Sequence, residues 1–558
     1  MAESLVQHNG QQDGVRFSSS YVPVILLTAV IVALSTRFLT SAPRRPAEDV
    51  TTSLPYWVPA LGHLLEFIFF NGSFLRQTRD AFPCGAFKLN LAGRYHTVFY
   101  DVNVFRDAIS ENQGFLEASV LRKRVATYVF ALQAKNTGAL ETLHEKLDNA
   151  SRQQASELAS RAIHIFQTTL PDIVTFNTSP VDQAPWERLC IMQMPESPKI
   201  DHVEVGLYSL VQSYVSHSTS VALAGENLLE NMPFVPTELE AISRSFGLLL
   251  LGIPRWVPFP GLISAYIARR RLLNTLWYFH DALDRDAAGQ EQYPGSEWRG
   301  LVDVSELLKR SDGILKEAEL SRETRASHTL CLLYLFATKI SGLSYWMLVH
   351  ILTRPSLLRE LREEIETYAR ASQPPSDFGI AEPAQLKLDA EGLWSKCRKL
   401  KACAWESLRL YDRSWSVRKV KADFKSAVSD HEDGQTMAFK KGEYIDIPSF
   451  LENTDPARYD KPMEWDWKRH GLAEDESGLN SETDDLQLTA GNMGLPPALE
   501  EAAFRTCLAF VAGFLVLWDV KPAGSGVPAV PVTNSGGIGV VALPRGDLKV
   551  HIRRRALR

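Results

Sequence analysis

The sequence predicts a mainly α protein with small β-sheets, one large domain behind a single N-terminal transmembrane helix. Three observations carry this reading. An uncharged apolar run lies near the start, helical hydrophobic periods dominate the rest, and a few short stretches rich in aromatic and β-branched residues read as strands. The 558 residues are 45% apolar and 23% charged, which is globular composition, and the net charge of −6 argues against a nucleic-acid partner. The expected division is a tail over 1–16, an anchor over 17–36, a Pro-rich linker over 37–54 and one domain over 55–558.

The anchor is the uncharged stretch FSSSYVPVILLTAVIVALST, long enough to cross a bilayer core. Arg37, Arg44 and Arg45 follow it and only Arg16 precedes it, so the long C-terminal part is expected on the cytosolic side. The run is too long for the apolar part of a cleaved leader, and no basic region precedes it. The linker APRRPAEDVTTSLP then leads to LAGRYHTVFYDV, which reads as a strand. Helical periods follow in GFLEASVLRKRVATYVFALQ, in GLISAYIARRRLLNTLWYFHDALDRDA and in PSLLRELREEIETYA, where Leu358, Leu361 and Ile365 share a face. Thr329 to Leu352 is apolar all round. Lys339 at its middle would be costly in lipid, so the stretch reads as a buried central helix. SWSVRKVKADF and EYIDIPS read as late strands, and Ala473 to Asp485 as an acidic, turn-rich segment.

Several chemistries are excluded. The six cysteines (Cys84, Cys190, Cys331, Cys397, Cys403, Cys507) form no C-x-x-C pair, so neither a disulfide framework nor a zinc site is expected. Gly537 and Gly539 in SGGIGVVALP precede no helix that would bind a phosphate. Paired metal-ligand histidines, a Walker loop and a nucleophile elbow are all missing from the sequence.

One ordered constellation remains. The helix KCRKLKACAWESLRLYDRS carries Glu406 and Arg409. Downstream come Gly442 with Ile445, Asp455-Pro456 with Tyr459, and Arg469. This order resembles the cytochrome P-450 family, and the terminal segments LPYWVPALGHLLEF and GIGVVALPRGDLKVHIRRR resemble its branch with prostacyclin synthase, the sterol 7α-hydroxylases and fungal biosynthetic members. The resemblance spans roughly Pro55 to Arg555. It implies the P-450 fold, a structural triad of Glu406, Arg409 and Arg469, and residence in the endoplasmic reticulum membrane.

The resemblance also marks departures. In the family a Phe-x-x-Gly-x-Arg-x-Cys-x-Gly loop supplies the thiolate that binds haem iron. Aligned on LAFVAGFLVLWDVKP, that loop reads Ala490, Met493, Leu495, Pro497 and Leu499, so Pro497 stands where the cysteine belongs. Glu500 and Glu501 follow where the family tends to carry basic residues. Cys507, in AFRTCLA, lies ten residues on, about 15 Å along a helix, and reads as a small core residue. On the central helix Lys339 and Ile340 replace the acid or amide and the threonine that deliver protons to bound dioxygen.

These departures imply no cofactor, with haem as the alternative. The leading expectation is a haem-free cyclase or isomerase acting on a hydrophobic terpenoid or polyketide, with an intramolecular cycloaddition the best fit. Lys339 and Ser341 are the candidate donors; against this, Lys339 serves as half of a structural ion pair and Ser341 bonds a carbonyl one turn back. The alternatives are a membrane-bound monooxygenase and a non-catalytic scaffold for other membrane-bound biosynthetic enzymes. The acidic stretch with Glu500 and Glu501 is expected near the reductase-docking face, where it would repel an acidic reductase.

Overall fold

The structure, a computed structural model, describes residues 22–41, 53–82, 84–110, 112–133, 137–190, 192–193, 202–291, 298, 301–374, 384–427, 436–470, 495–524, 530–533 and 538–557. The tail over 1–16, most of the linker, the acidic stretch Ala473 to Asp485, and Gly537 lie outside them.

The principal helices in chain order are α1 (Val22–Ser41), α2 (Leu64–Ala81), α3 (His144–Thr169), α4 (Leu207–Ala224), α5 (Val235–Arg244), α6 (Phe246–Leu250), α7 (Leu262–Ala287), α8 (Glu306–Glu317), α9 (Arg322–Leu352), α10 (Pro355–Ile365), α11 (Arg398–Tyr411) and α12 (Pro497–Leu517). The strands of the two larger sheets are β1 (Ala86–Leu91), β2 (Arg94–Phe99), β3 (Leu116–Glu117), β4 (Met192–Gln193), β5 (Val203–Gly206), β6 (Trp415–Val420), β7 (Tyr444–Pro448), β8 (Trp518–Pro522) and β9 (Lys549–Arg554). The result is a mainly α fold with small sheets, as the sequence predicts.

The stretch expected as an anchor over 17–36 is met by the exposed helix α1, which runs from Val22 to Ser41, is uncharged as far as Thr36 and is long and apolar enough to cross a membrane. Its end is fastened to the main body: the Arg37 guanidinium donates to the Pro55 carbonyl and lies 5.1 Å from the Trp57 ring. The Tyr56 amide donates to Thr40 Oγ1 at 3.2 Å. Leu54 N then reaches Lys88 O at 3.0 Å, so the linker ends against β1.

The five-stranded sheet runs β1-β2-β7-β6-β3, with β7 parallel to β2 and antiparallel to β6. Gly442 before β7 has φ +91°, a left-handed turn that lets its amide donate to Val420 O at 2.9 Å and sets the β6–β7 register. Ile445 consequently sits opposite both Thr97 and Arg418. The four-stranded sheet runs β8-β9-β5-β4 and ties the chain's end to the start of α4.

The central helix α9 is buried on every side, packed by α4, α7, α11 and α12. That enclosure is why its sequence shows no polar face; it is a core helix and not a second membrane span. Two expectations are adjusted. On α10 the buried row is Leu357, Leu361 and Ile365, with Leu358 beside it. The stretch from Gly114 is not one helix: it holds a two-residue strand, the helix Val120–Arg124 and a π-helical turn over Val125–Val129. Arg269 of α7 donates to the Tyr128 carbonyl at 2.6 Å, supplying a partner that local sequence cannot.

Glu406 anchors the fold beneath the central helix. Its carboxylate accepts from Arg409 Nε and Nη2, both at 2.8 Å, from the Asp466 amide at 2.8 Å and from His470 Nε2 at 3.0 Å. Arg469 Nε stands 3.5 Å away. Arg409 also donates to the Asn453 and Pro462 carbonyls and lies 4.8 Å from the Tyr459 ring. Glu406, Arg409 and Arg469 are thus brought together, with His470 as a fourth member. Desolvation works to raise the Glu406 carboxyl, but Arg409 and His470 outweigh it and hold it below its ordinary value. Arg409→Met leaves a buried carboxylate without its fork and is expected to cost about 3–5 kcal/mol, measured by chemical denaturation.

Candidate functional site

The site is built where α9, the turn after α11 and the first turn of α12 converge. Lys339, at the middle of α9, points its ammonium at Asp412, with Nζ to Oδ1 at 3.2 Å. Asp412 is the last turn's gift from α11: its amide closes on Leu408 O at 2.8 Å, and the next residues turn sharply into β6. Its other oxygen accepts the Ser414 hydroxyl, and the Ser449 hydroxyl at 2.7 Å. A buried carboxylate with this many donors is charged. Desolvation opposes ionisation, yet Lys339 and the two hydroxyls leave its pKa lowered. Lys339 mirrors it: desolvation pulls down, while Asp412 and then Glu500 push its pKa above the usual lysine value.

Glu500 is the third member. Pro497 starts α12, and the first turn buries Leu499 and leaves Glu500 half-buried in the field of Lys339 and Asp412, while Glu501 faces solvent and pairs with Arg505 at 2.8 Å. Burial raises the Glu500 carboxyl to about 7; Lys339 pulls it down and Asp412 pushes it up. Glu500 and Glu501 therefore meet different surroundings, Glu500 the Lys339–Asp412 pair and Glu501 solvent and Arg505. The helical phase separates the two neighbours by about 100°.

The C-terminal segment closes the chamber. Val541 bridges Asp412, the Ala542 amide donates to Tyr411 O at 2.7 Å, and Trp346 Nε1 of α9 donates to Ala542 O at 2.7 Å. A Cβ on Gly342 would stand 2.8 Å from Val541 Cβ, so α9 needs glycine one turn past Lys339. Trp346 stacks on Tyr411 at 3.8 Å between centroids. Ser341 is buried, and its hydroxyl reaches only the Thr338 carbonyl at 3.5 Å. Ile340 is fully buried.

A cavity of about 340 Å³ lies between α2, the α5–α6 region, the loop before α7 and residues 538–543. Phe67, Ile68, Phe69, Leu248, Leu251 and Phe259 make its wall largely apolar; Arg413, next in sequence to Asp412, lines it, while Lys339, Asp412 and Glu500 do not. Phe69 and Phe70 are exposed at its mouth, with Leu65 nearby on α2.

The residues present do not fit a thiolate-bound haem. Pro497 occupies the first helical position of α12 and has no sulfur. Cys507 lies in mid-helix, buried against α9, where Ser344 Oγ donates to its Sγ at 3.2 Å and Met347 Sδ is 3.6 Å away. Burial pushes its thiol up to about 12, far from thiolate. Among the described residues no group of three or more His, Cys, Asp or Glu has the arrangement of a metal site. Sequence reasoning found Lys339 and missed Asp412 as its partner; the only local signal is an acid directly after the Glu-x-x-Arg helix.

No family model matches the chain. It is 22% identical over 457 residues to cytochrome P450 monooxygenase poxD of Penicillium oxalicum, which covers 80% of this chain and 82% of that protein. It is also 28% identical over 222 residues to cytochrome P450 monooxygenase nodJ of Hypoxylon pulicicidum, covering 38% of this chain and 40% of that one. The mainly α fold with small sheets accords with these likenesses. The chain is related to the cytochrome P450 superfamily.

The Glu500 shift has a signed consequence. A carboxyl raised in the folded state favours folding while protonated; that contribution is whole below the ordinary value of 4.5 and lost as pH climbs through about 7. Glu500→Gln is therefore expected to match the parent's thermal stability near about pH 5 and to exceed it by about 1–3 kcal/mol near about pH 8.5. A gap equal at both pH values would place an ionised Glu500 in the fold.

Proposed function

We propose that this protein is an enzyme that converts a hydrophobic small molecule without haem-thiolate oxidation, by a cyclisation or isomerisation in the chamber at Lys339, Asp412 and Glu500. The observation that carries the reading is Pro497 at the start of α12, three residues before a half-buried Glu500 in the field of the Lys339–Asp412 pair. The apolar cavity suits a flexible terpenoid or polyketide. Holding such a chain in one reactive conformer removes entropy from the barrier. Glu500, with a carboxyl near neutrality, is matched to giving and taking a proton, and the Lys339 ammonium stabilises negative charge that develops on a carbonyl. Asp412 keeps that ammonium charged and in place. Ser341, turned to its own helix, is left outside the reacting groups. The anchor α1 and the exposed Phe69 and Phe70 support entry of the substrate from a membrane, which we take to be the endoplasmic reticulum.

A second reading has its own support. Both relatives are named as monooxygenases, and one aligns over most of the chain, which favours a membrane-bound P450 monooxygenase of a biosynthetic pathway. An absorbance spectrum of the purified full chain, reduced and exposed to carbon monoxide, separates the two. The proposal expects no haem-thiolate band and turnover of a polyene substrate without NADPH; stoichiometric haem with that band overturns it. Glu500→Gln is expected to lower turnover by about 10²–10⁴-fold while the protein stays folded. The parent's rate is expected to follow a group titrating near pH 7, a dependence the variant loses.

A further inference from the structure

The wall of the apolar cavity carries a cation, Arg413, whose guanidinium lies 5.6 Å from the centroid of the Phe450 ring and meets no carboxylate within ion-pair range among the described residues. Arg413 spends one guanidinium nitrogen, Nη1, on the Leu410 carbonyl at 3.0 Å and the Asp412 carbonyl at 2.8 Å. Among the described residues Nε and Nη2 have no hydrogen-bond partner, and no carboxylate lies within ion-pair range. The neighbouring Asp412 carboxylate is already committed to Lys339, Ser414 and Ser449. Arg76 of α2 contributes a second positive field and is itself attracted by Asp80. Desolvation first, then Arg76, against Asp412 and Tyr411, brings the Arg413 pKa down to about 10, still charged at neutral pH. The other cation on the wall, Arg244, is satisfied, with Nε donating to Glu240 at 3.0 Å.

A desolvated guanidinium with a free edge is an incomplete ion pair, and an oxyanion presented to that edge completes it with two parallel hydrogen bonds. The remaining wall is hydrocarbon: Phe67, Ile68, Leu248, Leu251, Phe259 and Leu543. The volume of about 340 Å³ is that of a small-ligand pocket. We propose that the cavity binds an apolar small molecule bearing a carboxylate, with the carboxylate on Arg413 and the hydrocarbon along α2 and α6. Its place as the substrate's seat rests on the function proposed above; the binding itself does not. A carboxylate fixed at Arg413 seats the charged end of the ligand one residue from Asp412 and lays the apolar chain along the cavity wall, so Arg413 sets the orientation in which a substrate is held.

The test is a calorimetric titration of the full chain, in a non-ionic detergent at neutral pH, with dodecanoic acid, its methyl ester and dodecanol. The acid is expected to bind about tenfold to a hundredfold more tightly than the ester or the alcohol, the range that charge-assisted hydrogen bonds give. Arg413→Gln is expected to remove that preference and leave the ester's affinity in place, which also shows that the variant is folded. Leu248→Trp, which fills the cavity, is expected to abolish binding of all three. Equal affinity of acid and ester for the parent, a preference that survives Arg413→Gln, or binding unaffected by Leu248→Trp each overturns the proposal. If Arg413→Gln does not fold, the parent's acid-to-ester ratio together with Leu248→Trp decides. No turnover enters the measurement, so haem found in the protein would sink the catalytic reading and leave this one standing.

Discussion

An ammonium in the middle of a fully enclosed helix must have a counter-charge, and much of this interior is arranged around meeting that demand. Without Asp412, Lys339 would be neutral or the helix would not be buried. Asp412 in turn stands where it does because α11 ends at Tyr411, because Ser414 and Ser449 hold its second oxygen, and because residues 540–542 pair with the turn. Glu500 then sits in a field already balanced by that pair. With one positive and one negative group beside it, desolvation decides its state, and the proton stays on until near neutral pH. The chamber's chemistry follows from one lysine placed where apolar residues surround it.

The relation to the P450 superfamily and the geometry of the chamber pull in different directions, and the difference has a physical location. The Glu406–Arg409 network, the central helix and the small sheets belong to the scaffold. They are present together, with the buried carboxylate accepting four hydrogen bonds from three groups, Arg409, the Asp466 amide and His470. The departures concentrate on the first turn of α12 and the facing turn of α9. A scaffold kept whole around an altered pair of turns has kept its cavity while changing what that cavity offers to a guest. Charge and shape remain, and the sulfur does not.

Much of the fold was legible in the sequence because it rests on short-range pattern. The uncharged run of α1, the period of α10 and the Glu406–Arg409 spacing are local facts. The fully apolar α9 was also legible, since Lys339 distinguished a core helix from a membrane span. What could not be read depends on distant partners. Lys339 and Asp412 are 73 residues apart in the chain. The π-helical turn at Val125–Val129 is completed by Arg269, 141 residues from Tyr128. Glu500 and Glu501 are indistinguishable as letters, and only the phase of α12 puts one in the field of the Lys339–Asp412 pair. Arg413 gave no signal, because a free guanidinium edge is a property of its surroundings. The candidate Ser341 was legible only as a hydroxyl on the right helix, and its rotamer turns it back on that helix.

The contact between Gly342 and Val541 bears on how the molecule is made. Residues 538–543 wall the cavity, bridge Asp412 and press on the central helix, yet they are made about two hundred residues after Gly342. Until they arrive, the chamber lacks a side and Lys339 is open to water. A nascent chain that already holds the central helix and the Glu406 network is therefore still an unsealed vessel, and a stop codon ahead of residue 538 would leave that scaffold with no enclosed site.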